Sequence, residues 1–285
     1  SGRTEKDLSF GIMGVTAGEN FNPSNNYAVF RASQRINEYS SAGGILTYYY
    51  SPEGKGTGWQ SMTGGLDWDI RFNGNRYGFE GTVAFSDRNS LVQGVKDQTG
   101  MMSSLAIRKR QGIIDGHVAF LMFTDQYNPN DIGWITFEQN WYQIWANLKY
   151  KLKGGKEFGN FQRGELSLDY ARRLSMLENY DMGSEINLRM TLITKKFRQI
   201  KAGTALISPL GGYDLWETRG LWVWAKPKGA ELSGEFSTDD RKKWKLTPKA
   251  SIRKYDNKGS EYMMDLLGTI IPGTKVSLSA EIKGS

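Results

Sequence analysis

The sequence predicts an all-β protein, a large antiparallel up-and-down β-barrel of about 16 to 18 strands. Three observations predict it: apolar and polar residues alternate with period two, several alternating runs reach ten residues or more, and Gly-, Asn- and Asp-rich breaks separate them. No helical stripe and no shift in composition marks a boundary, so residues 1–285 are expected to form one barrel domain.

The clearest element is a hairpin. Met62, Gly64, Leu66, Trp68, Ile70 and Phe72 fall on one face of a strand, and Thr63, Gly65, Asp67, Asp69, Arg71 and Asn73 on the other. Asn73-Gly74-Asn75 then supplies residues that tolerate positive φ. The alternation resumes with Tyr77, Phe79, Gly81, Val83 and Phe85 against Gly78, Glu80, Thr82, Ala84 and Ser86. Further on, Leu166, Leu168 and Tyr170 oppose Glu165, Ser167 and Asp169, while Met182, Ile186, Leu188, Met190 and Leu192 oppose Asp181, Glu185, Asn187, Arg189 and Lys195. Trp216, Trp222 and Trp224 oppose Glu217, Arg219 and Ala225. Toward the end, Leu232 and Phe236 oppose Glu231 and Glu235; Leu246, Ala250 and Ile252 oppose Lys245, Lys249 and Arg253; Val276, Leu278, Ala280 and Ile282 oppose Lys275, Ser277, Glu281 and Lys283. Breaks at 22–25, 53–56, 128–131, 153–155 and 256–259 carry turn residues, and the simplest organisation is one continuous meander.

Composition narrows the function classes. Of 285 residues 39% are hydrophobic and 24% charged, and 34 glycines against 7 prolines exclude a disordered or collagen-like chain. No run approaches the roughly 18 apolar residues of a membrane-spanning helix, and SGRTEKDLSF lacks the apolar stretch of a signal peptide. Without cysteine there is no disulfide framework or thiolate chemistry, and with His117 as the single histidine a His-rich metal site is excluded. The net charge of +7 is modest and its basic residues are spread along the chain, so nucleic acid is not an expected partner; neither is a cofactor or metal.

Alternation alone also fits a soluble sandwich, whose strands have one apolar and one polar face. Length separates the two: soluble strands average about 5 to 6 residues, a tilted strand crossing a bilayer about 9 to 11. Trp68, Trp134, Trp141, Trp145, Trp216, Trp222, Trp224 and Trp244 mostly lie within a few residues of a strand end, where indole rings suit the headgroup level. Many long strands in an open sheet would also leave aggregation-prone edges, which closure in lipid removes. The expectation is therefore a transmembrane barrel in a bacterial outer membrane, with membrane lipid as its partner.

The segment Asn26-Tyr27-Ala28-Val29-Phe30-Arg31-Ala32-Ser33-Gln34-Arg35, followed by Ser40-Ser41-Ala42-Gly43-Gly44-Ile45-Leu46-Thr47, resembles the opening of a family of barrels catalogued as domain of unknown function 5916. Gly64-Gly65-Leu66-Asp67-Trp68-Asp69 is similar to that family's Gly-x-Asp-x-Asp strand, and Asn130-Asp131-Ile132-Gly133-Trp134 to its Asn-Asp-x-Gly loop. The resemblance implies an outer-membrane barrel that follows an amino-terminal carbohydrate-binding module similar to family 9, with carbohydrate as a second partner. No such module precedes residue 1, the terminus Glu281-Ile282-Lys283-Gly284-Ser285 lacks a final aromatic, and about seventeen strands is an odd number, so an incomplete barrel is expected.

The polar residues expected to face the lumen are Arg31, Arg35, Asp67, Asp69, Arg71, Glu80, Asp115, His117, Glu165, Asp169, Glu185 and Arg189. Asp67 and Asp69 lie two apart, about 7 Å, which would suit a cation or a glycosidase pair, but a solvated ladder of mixed sign is the commoner arrangement. Asp115 beside His117 lacks a nucleophile, so no catalytic residue is assigned. Lys195, Lys196, Arg198 and Lys201, and Arg241, Lys242, Lys243 and Lys245, lie at strand ends, where they could meet lipid phosphates or a polyanionic glycan. The leading expectation is a porin-like pore or membrane anchor associated with carbohydrate capture or uptake. The competing one is a soluble all-β carbohydrate-binding protein or glycoside hydrolase, with tryptophans as sugar platforms and Asp67 and Asp69 as acids.

Overall fold

The structure, a computed structural model, describes residues 2–4, 7–17, 25–51, 58–91, 96–128, 140–153, 159–176, 180–214, 224–239, 241–270 and 276–284. The described residues contain strands and no helix. In chain order they are β1 (Gly2–Arg3), β2 (Leu8–Ala17), β3 (Asn25–Arg35), β4 (Ser41–Ser51), β5 (Trp59–Phe72), β6 (Tyr77–Ser90), β7 (Gln98–Lys109), β8 (Ile114–Phe123), β9 (Trp141–Lys153), β10 (Phe161–Ser175), β11 (Asp181–Thr194), β12 (Gln199–Ile207), β13 (Tyr213–Asp214), β14 (Trp224–Ala225), β15 (Gly229–Ser237), β16 (Trp244–Tyr255), β17 (Ser260–Ile270) and β18 (Val276–Gly284). Among the described residues sixteen of them make one antiparallel sheet in sequence order, with no pairing of β18 back to β1, and β13 and β14 pair only with each other. Trp224 and Ala225 therefore lie outside the meander's ladder, paired with β13, beside which Gly212 approaches Gly183 of β11 closely and Lys226 Nζ donates to the Met182 carbonyl at 3.1 Å. Trp134, Trp216, Trp222, Glu217, Arg219 and the breaks at 53–56 and 154–155 lie outside the described residues.

Contacts group the chain into two compact units, the first 1–110 with 118–144 and 175–179, the second 111–117 with 145–174 and 180–285. In the first, the expected hairpin forms as β5 and β6, joined through Asn73, Gly74 and Asn75, all left-handed with φ between 52° and 63°. Directly paired residues of an antiparallel sheet share a face, so the registers of β2 to β7 separate two surfaces. One carries Phe10, Ile12, Phe30, Leu46, Tyr48, Met62, Leu66, Trp68, Ile70, Phe72, Phe79, Val83, Phe85, Leu105 and Ile107. The other carries Ser9, Arg31, Ser33, Arg35, Ser41, Asp67, Asp69, Arg71, Glu80 and Arg108.

Glycines on the apolar surface lie beneath large rings. A Cβ at Gly81 would stand 2.2 Å from the Trp68 ring, and one at Gly64 2.7 Å from Phe85, so each ring is laid over bare backbone on a neighbouring strand.

The second unit repeats the division. Leu166, Leu168, Ile186, Leu188, Met190, Ile200, Leu206, Leu232, Phe236, Ile252 and Met264 share one face; Ser167, Asn187, Arg189, Lys201, Glu231, Glu235, Lys249, Arg253, Glu261 and Asp265 share the other. Two details differ from the alternation in the sequence. A bulge opposite Arg173 and Leu174 leaves Met182 as an extra residue next to Gly183, whose φ is 116°, and Met182 is buried instead of joining the exposed apolar row. Lys195 lies in the turn after β11, outside the strand.

Among the described residues neither unit shows a dry core of ordinary size. The buried apolar residues among those described are Ala106, Ala119, Phe123, Tyr127, Trp141, Met182 and Ala205, whereas exposed large apolar side chains outnumber them several-fold. Within the apolar row Ile12 is 74% exposed, and Leu66, Ile107 and Met264 are each 64% exposed. Connections in the first unit are unequal: 36–40 and 73–76 are tight, while 18–24, 52–58, 91–97 and 124–140 at the opposite strand ends are longer. In the second, the long 208–228 connection lies at the end opposite the turns 195–198 and 238–243.

Candidate functional site: the charged face of the sheet

The charged face follows from strand parity. Once Asp67 is committed to one side, Asp69 and Arg71 follow on the same side, and the register sets Glu80 beside Asp69 and Arg108 beside Gly78. In the first unit the Arg31 guanidinium grips both oxygens of Asp67, with Nη2 2.9 Å from Oδ2. Arg71 Nε donates to Asp69 at 3.0 Å, and Arg108 Nε donates to Glu80 Oε2 at 2.7 Å. Arg110, in the turn after β7, bonds the other Glu80 oxygen and comes within 3.9 Å of Asp69. Two carboxylates thus hold three guanidinium groups in one patch.

Space for these long side chains comes from missing Cβ atoms. A Cβ at Gly43 would meet Arg31 Nη2 at 2.9 Å, and one at Gly78 would meet Arg110 Nε at 3.0 Å. Arg35 shares the row through Ser41 and Asp69, and is exposed beside Ser9, Ser33 and Ser41 in a polar hollow that Arg3, Asp7, Tyr39 and Arg71 also line. A hydrogen bond to Glu38, and its charge, raise the Tyr39 hydroxyl above its ordinary pKa in the neighbouring turn.

The second unit carries its own network. Lys151 pairs with Asp115, Lys149 with Glu165 at 3.6 Å, and Asn147 Nδ2 donates to Asp169 at 2.6 Å. Asn187 Nδ2 donates to Glu185 at 2.7 Å, so Glu185 is engaged by its neighbour and Arg189 stands two residues further along the row. His117 lies on β8 two residues from Asp115. Lys201 reaches Glu235 at 2.9 Å, and Arg253 bridges Glu231 at 2.6 Å and Glu261 at 3.1 Å.

The cations of these pairs stay partly in water while several carboxylates are more buried; the Arg31 and Asp67 side chains retain 40% and 38% of their accessible surface, the Asp115 side chain 16%. Pairs this wet contribute about 0 to 1 kcal/mol each, so their effect is less to hold the sheet together than to give one face fixed, alternating charge. Glu231, Glu235 and Arg253 fall on the polar face as the alternation predicts, and Lys201, expected at a strand end, joins them in β12, whereas Arg108, Arg110, Lys149 and Lys151 had not been singled out. Strand parity would have found all but Arg110, which reaches the patch from a turn. Asp67 and Asp69 do share a side as expected, each held by an arginine.

The tryptophans divide. Trp68 belongs to the apolar face, and Trp224 and Trp244 are 61% and 53% exposed. Trp141 is instead buried against Phe123, ring centres 5.0 Å apart, and Tyr127 lies 5.8 Å from Phe123. Burial raises the Tyr127 hydroxyl above its ordinary pKa. Trp145 falls in the same alternate row as Asn147 and Lys149, and so on the charged side. Tyr127 comes close because Gly100 has no side chain: a Cβ there would lie 2.0 Å from the Tyr127 nitrogen, and the next backbone amide, of Asn128, donates to Ser86 Oγ on the charged row at 2.8 Å.

Fold and faces define a class: an all-β protein of long, sequentially paired antiparallel strands with an exposed apolar surface and an ion-paired polar one. The chain belongs to the family described as Domain of unknown function (DUF5916), which matches residues 1–283. No curated protein and no solved structure matches it.

Proposed function

We propose that this chain is the wall of a bacterial outer-membrane β-barrel whose apolar face meets lipid and whose charged face lines a wet interior. The observation that carries the reading is the exposure of the apolar row. Each large apolar side chain left in water forgoes about 1.5 to 3 kcal/mol, so dozens of them would forgo tens of kcal/mol, beyond the net stability of about 5 to 15 kcal/mol typical of a folded protein. Hydrocarbon against that face removes the deficit. Fifteen of the sixteen sheet strands run from 9 to 15 residues, which suits a bilayer crossed at a tilt. The tight turns at one end of the first unit and longer connections at the other support the same reading.

In this reading the arginine and carboxylate rows sort small solutes by charge or brace the wall around a plug, and the protein serves carbohydrate capture or uptake as a pore or anchor. Reconstitution in vesicles of lipids brominated along their acyl chains tests the first part. Strong quenching of tryptophan fluorescence is expected; a stable monomer in plain buffer, with no quenching in vesicles, would exclude it. Conductance in planar bilayers, with and without oligosaccharide, tests the second.

A further inference from the structure

Basic residues are spread along the chain, but two short segments carry most of its net excess of positive charge. In the sequence, segments 195–198 and 239–245 hold seven cations, Lys195, Lys196, Arg198, Arg241, Lys242, Lys243 and Lys245, and two acids, Asp239 and Asp240; seven less two leaves +5 of the chain's +7. The turns are neighbours, because Gln199 at the start of β12 pairs with Ser237 at the end of β15. The Arg241 guanidinium lies 3.2 Å from the centre of the Phe197 ring, joining one tip to the other. Arg241 also forks onto both oxygens of Asp239 at 2.9 and 2.8 Å, and this holds the Asp239 carboxyl down at about 2, far below the usual carboxylate range. Lys195, Lys196, Arg198, Lys242 and Lys243 are exposed. Immediately beside them Trp244 opens the apolar row of β16, 53% exposed, and Phe197 is 37% exposed.

The geometry points to a docking rim on this pair of hairpin tips for the phosphate headgroups of anionic phospholipids. The proposal rests on the membrane reading above and extends it to a lipid class. Several lysine ammonium groups around one stacked arginine suit phosphodiesters spread over a surface, since lysine meets phosphate as a mobile point charge. A soluble polyanion would satisfy the cations equally but gives no reason for an exposed indole and phenyl ring at the same level. A headgroup layer takes both, with rings at the boundary and cations in the phosphate plane.

The test uses the whole protein in mixed phosphatidylcholine and phosphatidylglycerol vesicles, with bromine on the chains of one lipid or the other. Wild type is expected to be quenched about two-fold or more by brominated phosphatidylglycerol relative to brominated phosphatidylcholine at equal mole fraction, a preference that high salt weakens. The preference should fall to parity in the combined variant Lys195→Gln, Lys196→Gln, Lys242→Gln and Lys243→Gln, which spares Arg241 and Asp239, and shrink in Trp244→Phe. Equal quenching by both lipids in wild type overturns this inference while leaving the membrane reading intact. No quenching by either overturns both. Tight binding of heparin by wild type with no preference between lipids assigns the rim to soluble polyanions and overturns the lipid proposal.

Discussion

Leu66→Arg separates a lipid-facing surface from a water-facing one. Leu66 is 64% exposed and stands between Gly44 and Val83 on the apolar face. It lies seven residues from Trp59 and six from Phe72, the ends of β5, or roughly 23 and 20 Å of strand at ~3.3 Å per residue. With a strand tilt of about 40° the site falls close to the middle of an apolar band about 25 Å tall. An arginine at the midplane on the lipid side costs about 2 to 4 kcal/mol, whereas the same change on a surface facing water is within about 0.5 kcal/mol of neutral. The assay is reversible denaturant unfolding in lipid vesicles, followed by tryptophan fluorescence. Ser104→Arg is the control, since Ser104 lies in register with Thr82 and Asp67 on the charged face, and it should cost less than about 1 kcal/mol. If Leu66→Arg is as stable as wild type in vesicles, the apolar face does not meet hydrocarbon and the reasoning fails.

Gly81→Val should destabilise by about 1 to 3 kcal/mol, because the new Cβ would lie 2.2 Å from the Trp68 ring and must displace it; vesicle unfolding together with the Trp68 emission maximum checks both the cost and its cause. Gly100→Leu should lift the Tyr127 segment off the sheet, seen as faster amide exchange at 124–128 with little change elsewhere, and unchanged exchange there would refute the close approach. Glu80→Gln removes the carboxylate that Arg108 and Arg110 share, so a conducting barrel should shift toward anions, read as a change in reversal potential under a salt gradient. The Asp239 carboxyl, lowered by Arg241, should titrate near 2 by carbon NMR in micelles. Because its folded pKa is depressed, its contribution to stability is complete above the ordinary carboxylate value of about 3.9 and disappears as the pH falls through about 2. Arg241→Gln should bring the midpoint back toward 4.

Much of this was legible in the chain itself. Period two is local: each residue's side follows from its neighbour's, so the two faces of β5, β6, β10 and β16 could be read before any pairing was known. The turn at Asn73-Gly74-Asn75 was legible for the same reason, since the positive φ is a property of those residues. Partners were not, because a strand's parity is silent about which carboxylate stands across from which arginine. Arg31 reaches Asp67 from two strands away, a relation fixed by the registers of β3, β4 and β5 and by the absence of a side chain at Gly43. Trp141 shows the limit from the other side: its place near a strand end suggested a headgroup position, but it is buried against Phe123, which also meets Tyr127, a residue seated close over Gly100.

The sequence by itself determined that the chain is extended, that each strand has an apolar and an ionic side, and that two groups of basic residues some forty residues apart lie at strand ends. Only the tertiary structure decided that those two segments are neighbouring tips, that the ionic sides interlock into networks, and that the apolar sides remain uncovered. The reason is physical: alternation is a property of backbone geometry within one strand, whereas register, close approach over glycine and exposure are relations between strands that no single segment encodes.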